Sequence, residues 1–424
     1  MIKHIYIIIV ICLAFHGICH AEIVEHTDSL VRLNPNIDFV ESTLVSSPQD
    51  YPYINYSQNA IIKNGADWHD FYNLISDIDS TTINIVHIGD SHLQADIMTG
   101  HLRELLQNRY GNAGRGLIIP FKMANTNEPR DYSITSSDKW TSSKITQAQW
   151  INPMGFTGIS ITPNKSLSNL KITTKSRSQY KPFNALRLYK QGNISVNEAY
   201  ISNGDSCQVF YDDDYIDFML NDTTSTMNLS LRFEKNSTIW GFDLSNDTTG
   251  IVYNTIGNNG ATYENYNRIP KFSQQISMLI PDLIIISLGA NEAFSNITPQ
   301  FFRHSIHVLV SSLQYHNPQA QILLVTPMEC QRRKYIRRNG RRRSRTYVIN
   351  ERIQELRNII LDYAADNNIA VYDWYKIGGG NGASTHWVED NLLSRDRIHN
   401  TAKGYELQGK LFYEALINDI LQNQ

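Results

Sequence analysis

The sequence predicts an α/β protein, a doubly wound, mostly parallel sheet flanked by helices, with an inserted β-sandwich. Short apolar runs, such as residues 82–89 and 282–288, end at glycines, and amphipathic helical segments alternate with them. A run that is apolar on both faces is typical of a buried parallel strand. Helical periodicity disappears between about residues 122 and 272, where short alternating strands are punctuated by Asn, Asp, Gly and Ser, which predicts the antiparallel sandwich.

The individual elements follow from the same two patterns. We expect the last three strands of the sheet to be separated by helices, as in other doubly wound folds. In order, the α/β part predicts a helix at 67–74, a strand at 82–89, a helix at 97–110, strands at 250–256 and 282–288, a helix at 299–316, a strand at 321–326, a helix at 348–367, a strand at 369–373 and a helix at 401–421.

A length of 424 residues favours two domains. We expect the α/β domain in two parts, residues 66–122 and 249–424, with the sandwich inserted at 123–248. Residues 22–65 are polar and contain three prolines, so they are predicted to form a surface arm.

The first 21 residues resemble a secretory signal peptide. Lys3 and His4 precede an apolar run, and small residues at Cys19 and Ala21 fit a cleavage site. The apolar run is far shorter than the roughly 20 residues that a membrane-spanning helix needs. The sequence therefore predicts an exported protein, periplasmic or secreted, that does not span the membrane.

Cysteine usage predicts neither a disulfide nor a metal centre. Cys12 and Cys19 would leave with the signal peptide, and Cys207 and Cys330 fall in different predicted domains, which favours two free thiols. The chain contains neither Cys-x-x-Cys nor His-Glu-x-x-His. We expect no metal and no cofactor.

The formal net charge is −3, which does not favour nucleic-acid binding. One segment departs strongly from this balance, because residues 332–345 hold eight Arg and one Lys and leave −12 on the rest of the chain. We expect a loop there. It is either a solvated surface loop or an attractant for an anionic polymer, since it follows a strand on the expected ligand-binding edge.

Candidate catalytic residues cluster at predicted strand ends. Ser91 follows the first strand, Gly260 and Asn291 follow the next two, and Asp396 precedes His399 by three residues. An acyl-transfer site needs a hydroxyl nucleophile, an imidazole base, a carboxylate that orients it, and donors for the oxyanion. These five residues supply each part, with the backbone amides of Ser91 and Gly260 as further donors.

The motifs Gly89-Asp90-Ser91, Gly260, Gly289-x-Asn291 and Asp396-x-x-His399 resemble, in order, the four blocks of the SGNH (GDSL-type) hydrolase family. The resemblance covers about 66–122 and 249–424 and implies a flavodoxin-like fold. It implies that Ser91 is the nucleophile, His399 the base and Asp396 its orienting acid, with Gly260 and Asn291 in the oxyanion hole.

Residues 89–94 and 289–294 are similar to the branch that contains bacterial peptidoglycan O-acetylesterases, which carry a sandwich resembling a carbohydrate-binding module at the position of this insertion. Trp387, within the segment leading to the last block, adds to this resemblance. His92, Gln94, Glu292 and Trp387 are candidate pocket or substrate contacts.

Other residues near Ser91 have structural interpretations. Asp90 adjoins the nucleophile, and we expect it to bond nearby backbone. His87 lies inside the strand and is predicted to be a satisfied core histidine. The chain also contains a second Gly-Asp-Ser, ending at Ser206, which lacks a buried strand before it and is predicted to be a plain turn.

The sequence thus predicts an exported serine esterase that removes O-acetyl groups from a carbohydrate polymer, such as peptidoglycan or another cell-wall or plant polysaccharide. The substrate polymer is the expected partner. Two alternatives stay open: a polysaccharide O-acetyltransferase with the same triad, and a glycan-binding protein with an inactive hydrolase core.

Overall fold

A computed structural model describes residues 51–175, 183–201, 204–338 and 342–423. The predicted signal peptide and residues 22–50 of the predicted arm lie outside the described residues. The described chain contains a parallel sheet flanked by helices together with antiparallel sheets, so the predicted fold class is confirmed.

The structure contains 18 strands within the described residues. They are β1 (Thr82–Gly89), β2 (Gly114–Ile118), β3 (Tyr132–Thr135), β4 (Trp140–Lys144), β5 (Ile159–Pro163), β6 (Leu167–Thr174), β7 (Phe183–Gln191), β8 (Ile194–Ile201), β9 (Gln208–Tyr211), β10 (Tyr215–Thr224), β11 (Thr226–Phe233), β12 (Thr238–Ser245), β13 (Gly250–Gly257), β14 (Leu283–Ser287), β15 (Gln321–Val325), β16 (Gln331–Arg338), β17 (Arg342–Ile349) and β18 (Ala370–Tyr372).

The helices lie before and after the insertion. They are α1 (His69–Ser76), α2 (Ser91–Gln94), α3 (Met98–Tyr110), α4 (Tyr263–Asn267), α5 (Phe272–Ile276), α6 (Pro299–His316), α7 (Arg352–Asp366), α8 (Trp374–Ile377), α9 (Ala383–Glu389) and α10 (Ala402–Asn423).

The parallel sheet has the order β13-β1-β14-β15-β18. Its strands are buried on both faces, because successive side chains point to opposite sides of a sheet. Ile85 packs into the core formed with α1, α3 and α10, whereas the next residue, Val86, packs into the core shared with α6 and α7. When these five strands are numbered by their place in the chain, their spatial order is 2-1-3-4-5. This is the order of flavodoxin-like folds, which bind ligands at the carboxyl ends of the strands where the order reverses. That point lies between β1 and β14.

The insertion forms two antiparallel sheets that pack face to face. One has the order β4-β5-β12-β7-β10-β9, with β2 also paired to β12, and the other has the order β3-β6-β11-β8. Leu188 and Phe218 of the first sheet and Leu229 of the second belong to one buried apolar cluster. Strand β2, which the sequence places within 66–122, thus belongs to the sandwich.

The two chain crossings between the domains lie side by side. Gly111 precedes β2 with a φ of 94°, and Gly250 begins β13 with a φ of 127°. A Cβ on Gly250 would lie 2.3 Å from the carbonyl carbon of Gly111, so only glycine permits this approach.

The arginine-rich segment is a hairpin, and the prediction of a loop is wrong. β16 and β17 pair in antiparallel register from Gln331 opposite Ile349 to Arg338 opposite Arg342. The helix predicted at 348–367 begins later than expected, at Arg352, because β17 extends to Ile349. Apolar residues are too sparse in this segment for its alternation to be visible among the charges.

Candidate active site

Ser91 is the first residue of α2 and follows β1 by a single residue. The turn before it requires glycine, since a Cβ on Gly89 would lie 2.5 Å from Leu93 Cδ1 and 2.9 Å from the carbonyl oxygen of Ser287. Asp90 caps the short helix, because its Oδ1 accepts a hydrogen bond from the N–H of His92 at 2.9 Å. This capping role agrees with the structural interpretation of Asp90. Ser91 is thereby held at the carboxyl edge of the sheet.

His399 and Asp396 lie next to Ser91 although they are distant in the chain. His399 Nε2 is 2.8 Å from Ser91 Oγ, and His399 Nδ1 is 2.7 Å from Asp396 Oδ2. A hydroxyl, an imidazole and a carboxylate in this arrangement can transfer a proton from the hydroxyl to the imidazole while the carboxylate fixes the tautomer. The structure therefore brings together the three residues predicted for nucleophile, base and orienting acid.

The turn that carries Asp396 keeps its carboxylate charged. Burial favours the neutral acid, but hydrogen bonds from His399, from the Ser394 hydroxyl at 2.7 Å and from the N–H of Ile398 at 2.9 Å outweigh it and lower the pKa of Asp396. Arg397 has a φ of 65°, which turns the chain back toward His399. An ionised carboxylate here stabilises a protonated imidazole.

Gly260 and Asn291 lie at the neighbouring strand ends. Gly260 is exposed, with a φ of 78°. Asn291 Nδ2 donates to Asp90 Oδ2 at 3.1 Å and to the carbonyl oxygen of Ala261 at 2.9 Å. A side-chain amide has two N–H donors, so both are used in this arrangement. A substrate oxyanion would have to compete with Asp90 or Ala261 for the Asn291 amide.

Gln94 lies under the Gly260 turn with its side chain buried. Its Oε1 accepts from the N–H of Asn259 at 2.7 Å, and its Nε2 donates to Thr126 Oγ1 and to the carbonyl oxygen of Asn127 at 2.8 Å. The side chain thus links the turn to the segment that follows β2. No motif marks Thr126 or Asn127 in the sequence, and only the fold places them beside Gln94.

We expect Gln94→Ala to lower kcat for an ester substrate by about tenfold with little change in KM. The reason is that the substitution removes the partner of the Asn259 N–H and loosens the neighbouring Gly260 amide, a donor that matters most in the transition state. Steady-state kinetics on 4-nitrophenyl acetate measure this split, with Gln314→Ala on exposed α6 as the matched control. An unchanged kcat, or a rise confined to KM, would contradict this positioning role.

Two histidines near Ser91 have different environments. His87 is fully buried in β1, where Nδ1 lies 2.7 Å from the Tyr253 hydroxyl and Nε2 lies 2.6 Å from Ser287 Oγ, so it is a satisfied core residue. The His92 ring lies 5.1 Å from the His399 ring, and its Nδ1 lies 3.1 Å from the Tyr405 hydroxyl. Desolvation and then the neighbouring His399 lower the pKa of His92 to about 3, so His92 is neutral beside the site.

Glu292 and Trp387 are buried rather than open to a substrate. Glu292 Oε1 accepts from the N–H of Tyr263 at 2.8 Å, and burial raises the pKa of Glu292 to about 7. Because folding raises this pKa from 4.5, the free energy of unfolding falls as the pH rises from about 4.5 to about 7 and then stays constant above that range. Trp387 packs edge-on against Trp374 in the core and donates from Nε1 to the carbonyl oxygen of Gly378 at 2.8 Å.

A small cavity of about 40 Å³ lies at the end of β1 and is not lined by Ser91 itself. Its wall includes Asp90 and His92, the two neighbours of Ser91 in the chain, and is otherwise largely apolar, with Met98, Leu288 and Val325 among its residues. A cavity needs about 10–15 Å³ to hold one water molecule, so this cavity holds a group of only a few atoms.

The described residues contain neither a candidate metal centre nor a membrane-spanning helix. Within residues 51–175, 183–201, 204–338 and 342–423, no cluster of three or more His, Cys, Asp or Glu side chains could hold a metal ion. No helix in the same part of the chain is both long and apolar enough to cross a membrane. Cys207 and Cys330 are both free thiols, as predicted.

Residues 229–407 match the model of the GDSL-like lipase/acylhydrolase family. Over this segment the chain resembles the SGNH (GDSL-type) hydrolase family. The match begins inside β11 and so includes Gly260, Asn291, Asp396 and His399 but not Ser91. No curated protein matches the chain.

The chain is also similar to several solved structures. A peptidoglycan O-acetylesterase is 20% identical, with a TM-score of 0.70 over 85% of this chain and 99% of that chain. A lipase/acylhydrolase from Enterococcus faecalis is 26% identical over 40% of this chain and 77% of its own, with a TM-score of 0.29. An acetyl xylan esterase is 18% identical over 39% of this chain and 81% of its own, with a TM-score of 0.30. The first likeness is one of fold, and it spans both the parallel sheet and the sandwich.

Proposed function

We propose that this protein is a serine esterase of the SGNH type that removes O-acetyl groups from a carbohydrate polymer through an acetyl-serine intermediate. The observation that carries the proposal is the continuous chain of two short contacts, 2.8 Å from Ser91 Oγ to His399 Nε2 and 2.7 Å from His399 Nδ1 to Asp396 Oδ2. This geometry activates a hydroxyl for acyl transfer.

In the first half of the reaction, Ser91 Oγ attacks the acetyl carbonyl carbon while its proton passes to His399 Nε2. Asp396 stabilises the imidazolium that forms. The amides of Ser91 and Gly260, with the Asn291 side chain, stabilise the oxyanion once it has displaced one of the present partners of Asn291. His399 then protonates the departing sugar oxygen, which leaves an acetyl group on Ser91.

In the second half, a water molecule takes the place of the sugar. His399 accepts a proton from this water as it attacks the acetyl carbonyl, and the Ser91 oxygen leaves with the proton that His399 returns. Acetate and the free enzyme are the products. The chain's own residues supply every proton transfer in this scheme.

We propose that the acyl group enters the small cavity lined by Asp90 and His92, whose size favours a short acyl group. We expect kcat/KM for 4-nitrophenyl octanoate to be at least roughly 100-fold lower than for the acetate, because a cavity of about 40 Å³ cannot hold a long chain and each excluded methylene loses about 1 kcal/mol or more. Met98→Ala enlarges the cavity and should therefore reduce the ratio of kcat/KM for the acetate to kcat/KM for the octanoate. A preference for octanoate would contradict an acetyl-sized site.

A fold likeness supports the carbohydrate substrate, and the expected signal peptide supports export of the protein. The fold likeness to a peptidoglycan O-acetylesterase extends over 85% of this chain, more than the α/β part alone occupies. Acetylated wall polymers lie outside the cytoplasm, which agrees with the signal peptide expected from residues 1–21. N-terminal sequencing of the protein from the periplasm or medium tests export, because cleavage after Ala21 is the expected result.

Acetate release tests the reaction itself. Purified protein is incubated with O-acetylated peptidoglycan, acetylated xylan and 4-nitrophenyl acetate, and acetate is quantified. Release of acetate supports the esterase, and the polymer with the highest kcat/KM identifies the substrate. Transfer of acetyl to a sugar acceptor without free acetate would identify a transferase, and glycan binding without turnover of any ester would identify an inactive hydrolase core.

A further inference from the structure

The arginine-rich hairpin, β16 and β17, is joined directly to the turn that carries Asp396. At its base the N–H of Gln331 donates to the carbonyl oxygen of Arg397 at 2.9 Å, and the Tyr347 hydroxyl donates to the carbonyl oxygen of Arg395 at 3.3 Å. The Arg397 guanidinium lies 5.2 Å from the centre of the Tyr347 ring. The hairpin therefore rises from the rim of the active site, on the side of His399.

This rim is strongly basic. Arg332, Arg333 and Lys334 are exposed on β16, and Arg395 is exposed on the adjoining turn. The sequence places six more arginines between residues 337 and 345, in a chain whose net charge is −3. A local excess of one charge beside a cleft attracts ligands of the opposite sign and raises their association rate by about 10–10³-fold.

The hairpin is a separate two-stranded sheet that pairs with no other strand of the described residues. An isolated two-stranded hairpin is marginally stable at best in water. Contacts between an anionic polymer and the exposed residues Arg332, Arg333 and Lys334 would therefore stabilise the hairpin.

We propose that the hairpin binds carboxylate-bearing glycan, so that the substrate of the esterase is an acidic polysaccharide whose acetylated sugar is held at Ser91 while neighbouring carboxylates contact the hairpin. Arginine forks match carboxylates in a bidentate manner, and Tyr335, which is 55% exposed on β16, offers a ring face to a sugar. This inference rests on the proposed esterase function for its reaction, but binding to the hairpin does not require turnover.

The test compares charge reversal on the hairpin with the same reversal elsewhere. Arg332→Glu/Lys334→Glu changes two exposed residues of β16, and Arg232→Glu/Lys235→Glu changes one exposed Arg and one exposed Lys of the sandwich by the same charge. The substrates are O-acetylated polygalacturonate and O-acetylated glucomannan, an acidic and a neutral polymer. Turnover of 4-nitrophenyl acetate shows whether each variant is folded and active.

We expect the parent to prefer the acidic polymer at low salt and to lose that preference between about 50 and 500 mM salt, because screening shortens the range of the attraction. The hairpin variant should lose roughly tenfold in kcat/KM on polygalacturonate alone, with unchanged turnover of 4-nitrophenyl acetate. Equal kcat/KM on both polymers in the parent, or an equal loss in the sandwich variant, would overturn the proposal.

A binding experiment separates this inference from the reaction. Affinity electrophoresis of the parent and both variants in gels that contain unacetylated polygalacturonate measures retention without chemistry. Retention that only the hairpin variant loses supports the inference even if no ester is turned over, in which case the proposed esterase alone fails. Equal retention by inorganic polyphosphate would reveal generic polyanion capture and overturn the preference for carboxylates.

Discussion

Ser91→Ala is expected to lower kcat for 4-nitrophenyl acetate and for the polymer substrate by at least roughly 10⁴-fold, while KM changes little. The alanine removes the oxygen that forms the acyl intermediate, and His399 and Asp396 then have no hydroxyl to activate. Residues that act as one catalytic unit show losses of this order when a member is removed, and the oxyanion donors account for the activity that remains. Stopped-flow and steady-state kinetics of acetate release measure the effect.

The chain contains its own matched control for this substitution. Ser206 ends the second Gly-Asp-Ser and is exposed in the connection between β8 and β9, where it forms an isolated antiparallel bridge with Tyr200. Ser206→Ala makes the same chemical change after the same two residues, so parental kinetics are expected. If Ser91→Ala kept more than a few per cent of the parental kcat, a different nucleophile would be responsible and the proposed mechanism would fail.

Asp96→Asn is expected to lower the free energy of unfolding by about 3 kcal/mol at pH 7. Asp96 is buried and accepts from two arginines, Arg103 at 2.5 Å and Arg115 at 2.6 Å, and from the Thr255 hydroxyl at 3.1 Å. Asp131 also pairs with Arg115, at 2.8 Å. Removal of one charge from such a buried group leaves the remaining charges poorly compensated, which costs about 3–5 kcal/mol. Asparagine keeps the shape and tolerates the φ of 53° at this position.

The pH dependence of this loss follows from the direction of the pKa shift. Burial opposes ionisation of Asp96, but Arg103 and Arg115 outweigh it and lower its pKa. The stabilisation is therefore present above the ordinary carboxylate pKa of about 4 and disappears as the pH falls. Urea unfolding at pH 7 and pH 3 measures both limits. Asp366→Asn, at an ion pair whose carboxylate is 68% exposed, should cost less than about 1 kcal/mol, and an equal loss in both variants would argue against the network.

The fold and the identity of the candidate site residues were predictable because they depend on local signals. Buried apolar runs that stop at glycines predicted the strands, and the polar residue that follows each run marked the same edge of the sheet. This context also separated the Gly-Asp-Ser at Ser91 from the one at Ser206. The roles of the residues at this edge stay predictions, while their proximity is now a structural observation.

Features that depend on tertiary partners were not predictable. The hydrogen bonds of Gln94 run to Thr126 and Asn127, which carry no motif, and those of Asn291 run to Asp90 and Ala261, which only the sheet topology places within reach. The arginine-rich segment looked like a loop because its charges conceal strand periodicity. In each case the information lies in how distant segments meet.

The separation of Ser91 and His399 by 308 residues has a consequence for folding. Ser91 follows the one strand of the parallel sheet that precedes the sandwich in the chain, and His399 comes after the other four strands. The reacting groups therefore meet only after these strands have paired and α10 has packed against α3. Non-local contacts of this kind form late, because a long loop must close before they contribute. Recovery of ester turnover during refolding therefore reports on the last stage of assembly, whereas recovery of secondary structure reports on earlier ones. The lag between the two signals measures how long the molecule stays structured but inactive.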